Sequence, residues 1–377
     1  MRRVKIVHTA DLHFDTPFNE VDEKQRLINK EELKEVFKNI INFCKEKHVD
    51  ILLLAGDIFD NLTLSRETIH FIENVFNDIK ETRVFISPGN HDPYDNNSFY
   101  KLIKWPENVY VFKGNLEKVY IEELKTNVWG AAFNGKYVRK SILKGFSQND
   151  EEINIMVIHG ELSSSEEGNE YNPITLKNIR ESGMDYIALG HRHNFSGVLK
   201  EGSTFYSYSG CPQGRGFDET GDKGIVYGYV AKGFAELSFI KTCKRNYEEV
   251  YVDISNLFGY EEIREKILDS IKEKDRKNNL YKIILKGEVS EKFHIEEKIV
   301  KSKLLNDFYF CKVIDKTSIA LDIKELSKGY SVKSIFVRKL VKKLKEAKTD
   351  EEREVIKMAL KIGISSLSED EVNMDDY

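Results

Sequence analysis

The chain has 377 residues, 40% hydrophobic and 32% charged, with a formal net charge of -5. That length exceeds one ordinary hydrophobic core and implies two or three domains, while the composition and the lack of any apolar run near roughly 20 residues exclude a disordered or membrane-spanning chain. The net acidity argues against a stand-alone polyanion binder, so nucleic-acid contact must come from a local patch or a partner.

The first half alternates apolar runs with helical patterns, which indicates an α/β class with layered central β-sheets flanked by helices. Val4 to His8 predicts a strand. Its apolar run is broken by Lys5 and leads straight into Asp11, which is not a signal-peptide pattern, so a cytoplasmic protein with no membrane partner is expected. Leu33, Val36, Phe37, Ile40, Ile41 and Cys44 fall at helical spacing within Glu31 to Lys47, and Ile51-Leu52-Leu53-Leu54-Ala55 predicts a strand buried on both faces. Ile69, Ile72, Val75, Phe76 and Ile79 mark a second helix. Further strands are expected at Arg83 to Ser87, Asn127 to Phe133, Ile153 to Ile158 and Asp185 to Leu189. Phe205 to Tyr208, Ile225 to Val230 and Ala235 to Ile240 predict antiparallel strands joined by glycine-containing turns.

Near Lys244-Arg245-Asn246 the pattern shifts to β-α-β-α-β, with strands around Glu249 to Ile254, Leu280 to Leu285 and Phe308 to Ile314 separated by two charged helices. Beyond Gly329 the chain reads as amphipathic helix, with Val337, Leu340, Val341 and Leu344 in a stripe and a capping box from Thr349 to Glu352. The expected organisation is a main domain over 1–243, a small α/β capping domain over 244–326 and a helical C-terminal segment over 327–377. The acidic tail Ser368 to Tyr377 is expected to be loose. Cys44, Cys211, Cys243 and Cys311 show no CxxC spacing and read as small buried residues rather than a zinc knuckle or disulfide scaffold.

Five short segments follow predicted strands directly: Asp11-Leu12-His13, Gly56-Asp57, Gly89-Asn90-His91-Asp92, His159-Gly160-Glu161 and Gly190-His191-Arg192-His193. Residues just past the carboxyl ends of strands gather along one sheet edge, so these segments can converge. Each alone reads as a turn or a surface pair, whereas five together, in this placement, indicate a site. Imidazole with carboxylate oxygen suits Mn²⁺, Fe²⁺ or Zn²⁺ better than Mg²⁺. Two such ions need a bridging carboxylate, for which Asp57 is the candidate, and a water held between them would act as a hydroxide aimed at phosphorus.

The ordered set resembles the calcineurin-like metallophosphoesterase superfamily. His8-Thr9-Ala10-Asp11-Leu12-His13, Ala55-Gly56-Asp57-Ile58-Phe59-Asp60 and Gly190-His191-Arg192-His193 resemble its DNA repair exonuclease branch, typified by SbcD. The run Gln213-Gly214-Arg215-Gly216-Phe217-Asp218-Glu219-Thr220-Gly221-Asp222-Lys223-Gly224 is similar to the YhaO-like subgroup of that branch. The resemblance implies a layered metallophosphoesterase fold and two divalent ions, Mn²⁺ foremost. It assigns one ion to Asp11, His13, Asp57 and His193, and the other to Asp57, Asn90, His159 and His191. His91 would be general acid or charge stabiliser, oriented by Asp92. It also implies DNA as substrate, an SbcC-like coiled-coil ATPase as partner of the C-terminal helices, and a homodimer. Asp60 stands where archaeal and eukaryotic relatives carry a histidine, and Tyr208-Ser209-Gly210-Cys211-Pro212 departs from the usual Tyr-Pro-Gly pattern.

Arg215 is a further candidate, for a substrate phosphate, against a plain structural turn. The basic run Lys333, Arg338, Lys339, Lys342, Lys343, Lys345 and Lys348 reads first as a solvated helix face. Trp105, Trp129, His48, His70 and His294 read as packing or surface residues, and His8 as pointing back into the sheet. Two functions compete: a metal-dependent DNA exonuclease or endonuclease subunit, and a small-molecule or nucleotide phosphodiesterase or phosphatase with no direct DNA role.

Overall fold

The computed structural model describes residues 2–60, 64–290, 293, 295–319 and 326–367, which leaves the expected loose tail Ser368–Tyr377 and His294 outside the described residues. The chain divides into two compact units, Met1–Glu248 and Glu249–Tyr377. In the first unit, strands β1 (Val4–Thr9), β2 (Ile51–Leu54), β3 (Arg83–Ile86) and β4 (Val109–Val111) pair in parallel, joined by helices α1 (Glu23–Lys47) and α2 (Arg66–Val75). A second sheet takes β5 (Glu117–Ile121), β6 (Thr126–Gly130) and β7 (Ile153–His159). After the small pair β8 (Glu161–Leu162) and β9 (Pro173–Ile174) and the helix α3 (Leu176–Glu181), it adds β10 (Tyr186–Gly190), β11 (Leu199–Glu201) and β12 (Thr204–Tyr208). The chain then returns to the first sheet as β13 (Gly224–Ala231), antiparallel to β1, and β14 (Phe234–Lys241).

One apolar cluster joins the two sheets. Val4, Ile6, Ile51, Leu53 and Phe85 of the first pack with Val128, Ile155, Val157 and Ala188 of the second. Strand side chains alternate between faces, so Met156, Ile158, Ile187 and Leu189 fill a separate cluster with Ile179 of α3. The fold is therefore the expected mixed α/β layering.

Helix α1 begins at Glu23, eight residues before the start of the predicted helix at Glu31. Asp22 caps it by accepting from Gln25 N, and the buried face of the added turns is polar. Gln25 donates to Asn29, which donates to the Tyr247 hydroxyl. Hydrophobic periodicity cannot register a face buried through hydrogen bonds. Strand β12 also departs from expectation: it is antiparallel only to β11 and runs parallel to β10, in a different sheet from β13 and β14.

In the second unit, β15 (Tyr247–Asp253), β16 (Leu280–Lys286) and β18 (Phe310–Asp315) form a three-stranded sheet, with β17 (Glu288–Val289) paired to β19 (Ser318–Ile319). Two helices, α4 (Tyr260–Ser270) and α5 (Glu273–Asn278), stand between the first two strands where one was expected, and α6 (Glu297–Leu304) follows β17. The helices Val332–Glu346 and Asp350–Ser366 close their own small cluster with Val337, Leu360 and Ile364. Among the described residues, no helix is long and apolar enough to cross a membrane.

Candidate metal centre

Strands β1, β2 and β3 are parallel in one sheet, β7 and β10 in the other, and all five segments follow their carboxyl ends. Asp11 N donates to Gly56 O at 3.0 Å and His13 N to Asp57 O at 2.9 Å, which ties the loop after β1 to the loop after β2. Gly89 lets the loop after β3 close on this pair: a Cβ there would stand 2.2 Å from Asp57 Oδ1. Asp11, His13, Asp57 and His191 all have positive φ, at 54°, 47°, 51° and 108°. Each such conformation costs about 1–3 kcal/mol in a residue with a side chain, and such costs collect where surrounding contacts hold a site in shape.

Among the described residues the side chains meet in three overlapping groups, Asp11 with His13 and His193, Asp11 with Asp57 and His159, and His13 with Asp60 and His91. His159 Nδ1 is 2.8 Å from Ala55 O, and because a carbonyl only accepts, that nitrogen carries the proton. His159 Nε2 is then a bare lone pair facing Asn90 Oδ1 at 3.0 Å and Asp57 Oδ2 at 3.4 Å. On the other side of Asp57, His13 Nδ1 donates to Asp60 Oδ1 at 2.9 Å. Its Nε2 lies 3.7 Å from the same Asp57 Oδ2, buried and with no hydrogen-bond partner among the described residues. Lone pairs converging on a carboxylate are repulsive until a cation sits among them, so this donor set fits divalent metal ions. His191 completes the group, its ring 5.2 Å from that of His159 and 4.8 Å from that of Tyr171.

Burial pushes the Asp57 carboxyl up, but His159, His13 and His91 outweigh it and hold the group at about 2. Burial, with Arg215 second, depresses His13 well below the usual imidazole range, and burial with His159 brings His191 down to about 4. Burial raises Asp11 against the pull of His193 and His159. Burial lowers His193 too, but its contact with Glu219 outweighs this and raises the group. An ionised Asp57 beside imidazoles held neutral at His13 and His191 is the state a metal ligand set requires.

His91 is half-exposed and stacks edge-on to His13, with ring centroids 4.7 Å apart. The expected pairing of His91 with Asp92 is absent. Asp92 is buried and accepts from Gly89 N at 2.8 Å, Ile58 N at 2.6 Å, Phe59 N at 3.1 Å and the Tyr100 hydroxyl at 2.6 Å. Its carboxylate is used up fastening the loops after β2 and β3, and His91 Nδ1 instead donates to the Asp60 carbonyl at 3.0 Å. Arg215 does reach the centre, with Nη2 3.0 Å from His193 Nδ1. Two residues of the Gln213–Gly224 run that carry no motif of their own lie behind His193. Glu219 Oε1 is 2.7 Å from His193 Nδ1, and buried Lys223 donates to His193 O at 3.2 Å and to Asn194 Oδ1. His8 is buried and bonded to the Tyr186 hydroxyl and Leu189 O, His70 is exposed, and His48 ends α1. Trp105 donates to Tyr100 O and Trp129 to Asn154 Oδ1.

The family model for calcineurin-like phosphoesterases matches residues 4–195, half of the chain and a span that holds every candidate ligand from Asp11 to His193. The chain belongs to that family. This calcineurin-like phosphoesterase is similar to the uncharacterized metallophosphoesterase YhaO of Bacillus subtilis, 29% identical over 76% of this chain and 72% of that protein. It is also similar to a component of the nuclease SbcCD of Staphylococcus epidermidis, 24% identical over 57% of this chain and 65% of that protein. The DNA double-strand break repair protein Mre11 of Methanopyrus kandleri is 21% identical over 79% of this chain and 68% of its own length. Membership makes the chain a metal-dependent phosphoesterase. A cavity of about 630 Å³ lined by Asp50, Lys80, Arg83 and Glu107 lies at the opposite, amino-terminal ends of β2 and β3 and takes no part in this chemistry.

Proposed function

We propose that this phosphoesterase hydrolyses phosphodiester bonds in DNA, as an exonuclease or endonuclease subunit of the SbcD-like branch and its YhaO-like subgroup, acting in repair or recombination. The observation that carries the hydrolytic reading is Asp57 Oδ2, faced by His159 Nε2 on one side and His13 Nε2 on the other. Asp11, His13, Asp57 and His193 would hold one cation and Asp57, Asn90, His159 and His191 the other, with Mn²⁺ the first choice for such a mixed donor set and Fe²⁺ or Zn²⁺ also compatible. Divalent ions there supply the Lewis acidity that makes water nucleophilic and offsets charge on phosphoryl oxygens.

The chain's own contribution is order. Asp60 O fixes His91 Nδ1 as the protonated nitrogen, so Nε2 is the nitrogen left to face a substrate and, in the imidazolium form, to give a proton to the leaving oxygen. Half-exposed His91 is open to a substrate, unlike the buried His13 and His159.

Two findings support DNA over a small substrate. One is that relatives named for nuclease and DNA-break repair share the matched region. The other is exposed Tyr137, with Lys136 and Arg139 stacked on its ring and a neighbouring backbone bridge from Val138 to Tyr171, whose ring lies against His191. An aromatic face beside cations suits a nucleic-acid strand. An SbcC-like ATPase partner and a homodimer belong to the same proposal. The test is cleavage of end-labelled single- and double-stranded DNA with Mn²⁺, with and without such an ATPase. Cleavage of either supports the reading, and hydrolysis of bis-p-nitrophenyl phosphate with both DNAs intact would replace it with a small-molecule or nucleotide phosphodiesterase.

A further inference from the structure

The two halves of the candidate centre are backed differently. Behind the half formed by Asp11, His13 and His193 stands a continuous ionic chain. His13 Nδ1 meets Asp60 Oδ1 at 2.9 Å, Asp60 Oδ1 lies 3.6 Å from Arg215 Nη1, Arg215 Nε donates to Glu219 Oε1 at 3.1 Å, and Glu219 Oε1 meets His193 Nδ1 at 2.7 Å. Arg215 N also donates to Glu219 Oε2 at 2.8 Å. All of these side chains are mostly buried, Glu219 at 4% exposure, Arg215 at 12% and Asp60 at 18%. Behind the other half, His159 Nδ1 meets a neutral backbone carbonyl, Ala55 O.

We propose that Asp60 and Glu219, linked through Arg215, are positioning residues that aim Nε2 of His13 and of His193 at one metal position and make it the tighter of the two. A carboxylate can only accept, so Asp60 fixes the proton on Nδ1 of His13 and leaves Nε2 as its ligand atom. At His193 the shorter contact, Glu219 Oε1 at 2.7 Å against Arg215 Nη2 at 3.0 Å, puts the proton on Nδ1 as well, with Arg215 Nη2 3.4 Å from the Nε2 that would ligate. His13 Nε2, which has no hydrogen-bond partner among the described residues, is the atom this arrangement leaves facing the centre. Asp60 and Glu219 against Arg215 leave one net negative charge within this chain of side chains, and the buried Lys223 ammonium, which donates to His193 O and Asn194 Oδ1, balances it further back. The two carboxylates in direct contact with Nδ1 strengthen these imidazoles as donors, while a backbone carbonyl orients His159 without adding charge. Asp60, which stands in place of a histidine of some relatives, thus has a task of its own.

The inference rests on the two-metal reading and is tested apart from hydrolysis. Mn²⁺ is titrated into the metal-free full chain by calorimetry, with thermal melting to establish that each variant is folded. Wild type is expected to bind two ions per chain in two affinity classes. Asp60→Ala and Glu219→Ala should each weaken the tighter class by about 10- to 100-fold and leave the other in place. Asp60→Asn and Glu219→Gln keep an accepting oxygen and lose only charge, so they should weaken that class less than the alanine variants do. Asn90→Ala should weaken the other class. Equal loss in both classes, or no loss, in folded Asp60 and Glu219 variants overturns the proposal while two-ion wild-type binding leaves the functional reading intact. A wild type that binds no Mn²⁺ overturns both.

Discussion

Oδ2 of Asp57 stands 3.4 Å from Nε2 of His159, a nitrogen whose proton is committed to the other side of its ring. With His13 Nε2 3.7 Å from the same oxygen, one carboxylate is shared by imidazoles arriving from different sheets. Two β-sheets packed on one apolar cluster make this meeting possible, since β1 and β2 deliver His13 and Asp57 while β7 delivers His159.

Removing the His91 ring should separate chemistry from metal binding. His91→Ala is expected to lower kcat for a phosphodiester by about 10²- to 10⁴-fold, the usual range for a lost proton donor, with Mn²⁺ stoichiometry unchanged. Steady-state kinetics beside metal analysis of the same sample checks this. Retained kcat would remove His91 from the reaction.

Asp92, although adjacent in sequence, should behave as a structural residue. Its carboxylate accepts from three backbone amides and the Tyr100 hydroxyl in a buried setting. Asp92→Ala strands those donors and is expected to cost about 3 kcal/mol or more of stability, measured by urea denaturation. A variant as stable as wild type but slower would instead restore a direct role.

Gly89 sets how closely the loop after β3 approaches Asp57. In Gly89→Ala the new Cβ would meet Asp57 Oδ1 at 2.2 Å and Asp57 N at 2.8 Å, so Asp57 must move. Activity should fall by at least about tenfold, the scale of a displaced ligand, and Mn²⁺ affinity with it. Gly135→Ala, where a Cβ meets nothing within 4 Å, is the control and should leave both unchanged.

His8 predicts an acid-side stability loss unconnected with catalysis. Burial brings its pKa from 6.5 down to about 3, with the Leu189 carbonyl opposing. A depressed folded-state value means that the unfolded chain takes up the proton first, so this contribution is whole above pH 6.5 and fades as pH falls towards 3. Between pH 7 and 5, wild type should lose about 2 kcal/mol more than His8→Gln, measured by denaturant midpoints. Parallel pH profiles would contradict the assignment.

What could be read from the sequence follows from how each residue is held. Asp11, His13, Asp57, Asn90, His159, His191 and His193 stand out because each lies past an apolar strand, beside a glycine or a second ligand-type residue. Parallel strands then bring such positions together without further instruction. The early turns of α1 are hidden because Gln25 and Asn29 are buried through hydrogen bonds and carry no apolar signal. Asp92 misleads because adjacency to His91 in the chain says nothing of direction: the turn sends its carboxylate inward and the His91 ring outward. Glu219 is visible only as part of a run, since its partner His193 precedes it in the chain and meets it only after β12 has been crossed. Strands β4 and β11 have only three residues, and β5, Glu117–Ile121, opens on two charged residues and carries no long apolar run.

The most direct test of the centre is hydrolysis of bis-p-nitrophenyl phosphate by Mn²⁺-loaded wild type and Asp57→Asn. If Asp57 is the shared ligand, the variant loses activity by about 10²-fold or more and binds fewer than two ions per chain. An Asp57→Asn protein that binds both ions and hydrolyses the diester at the wild-type rate would contradict the two-metal account.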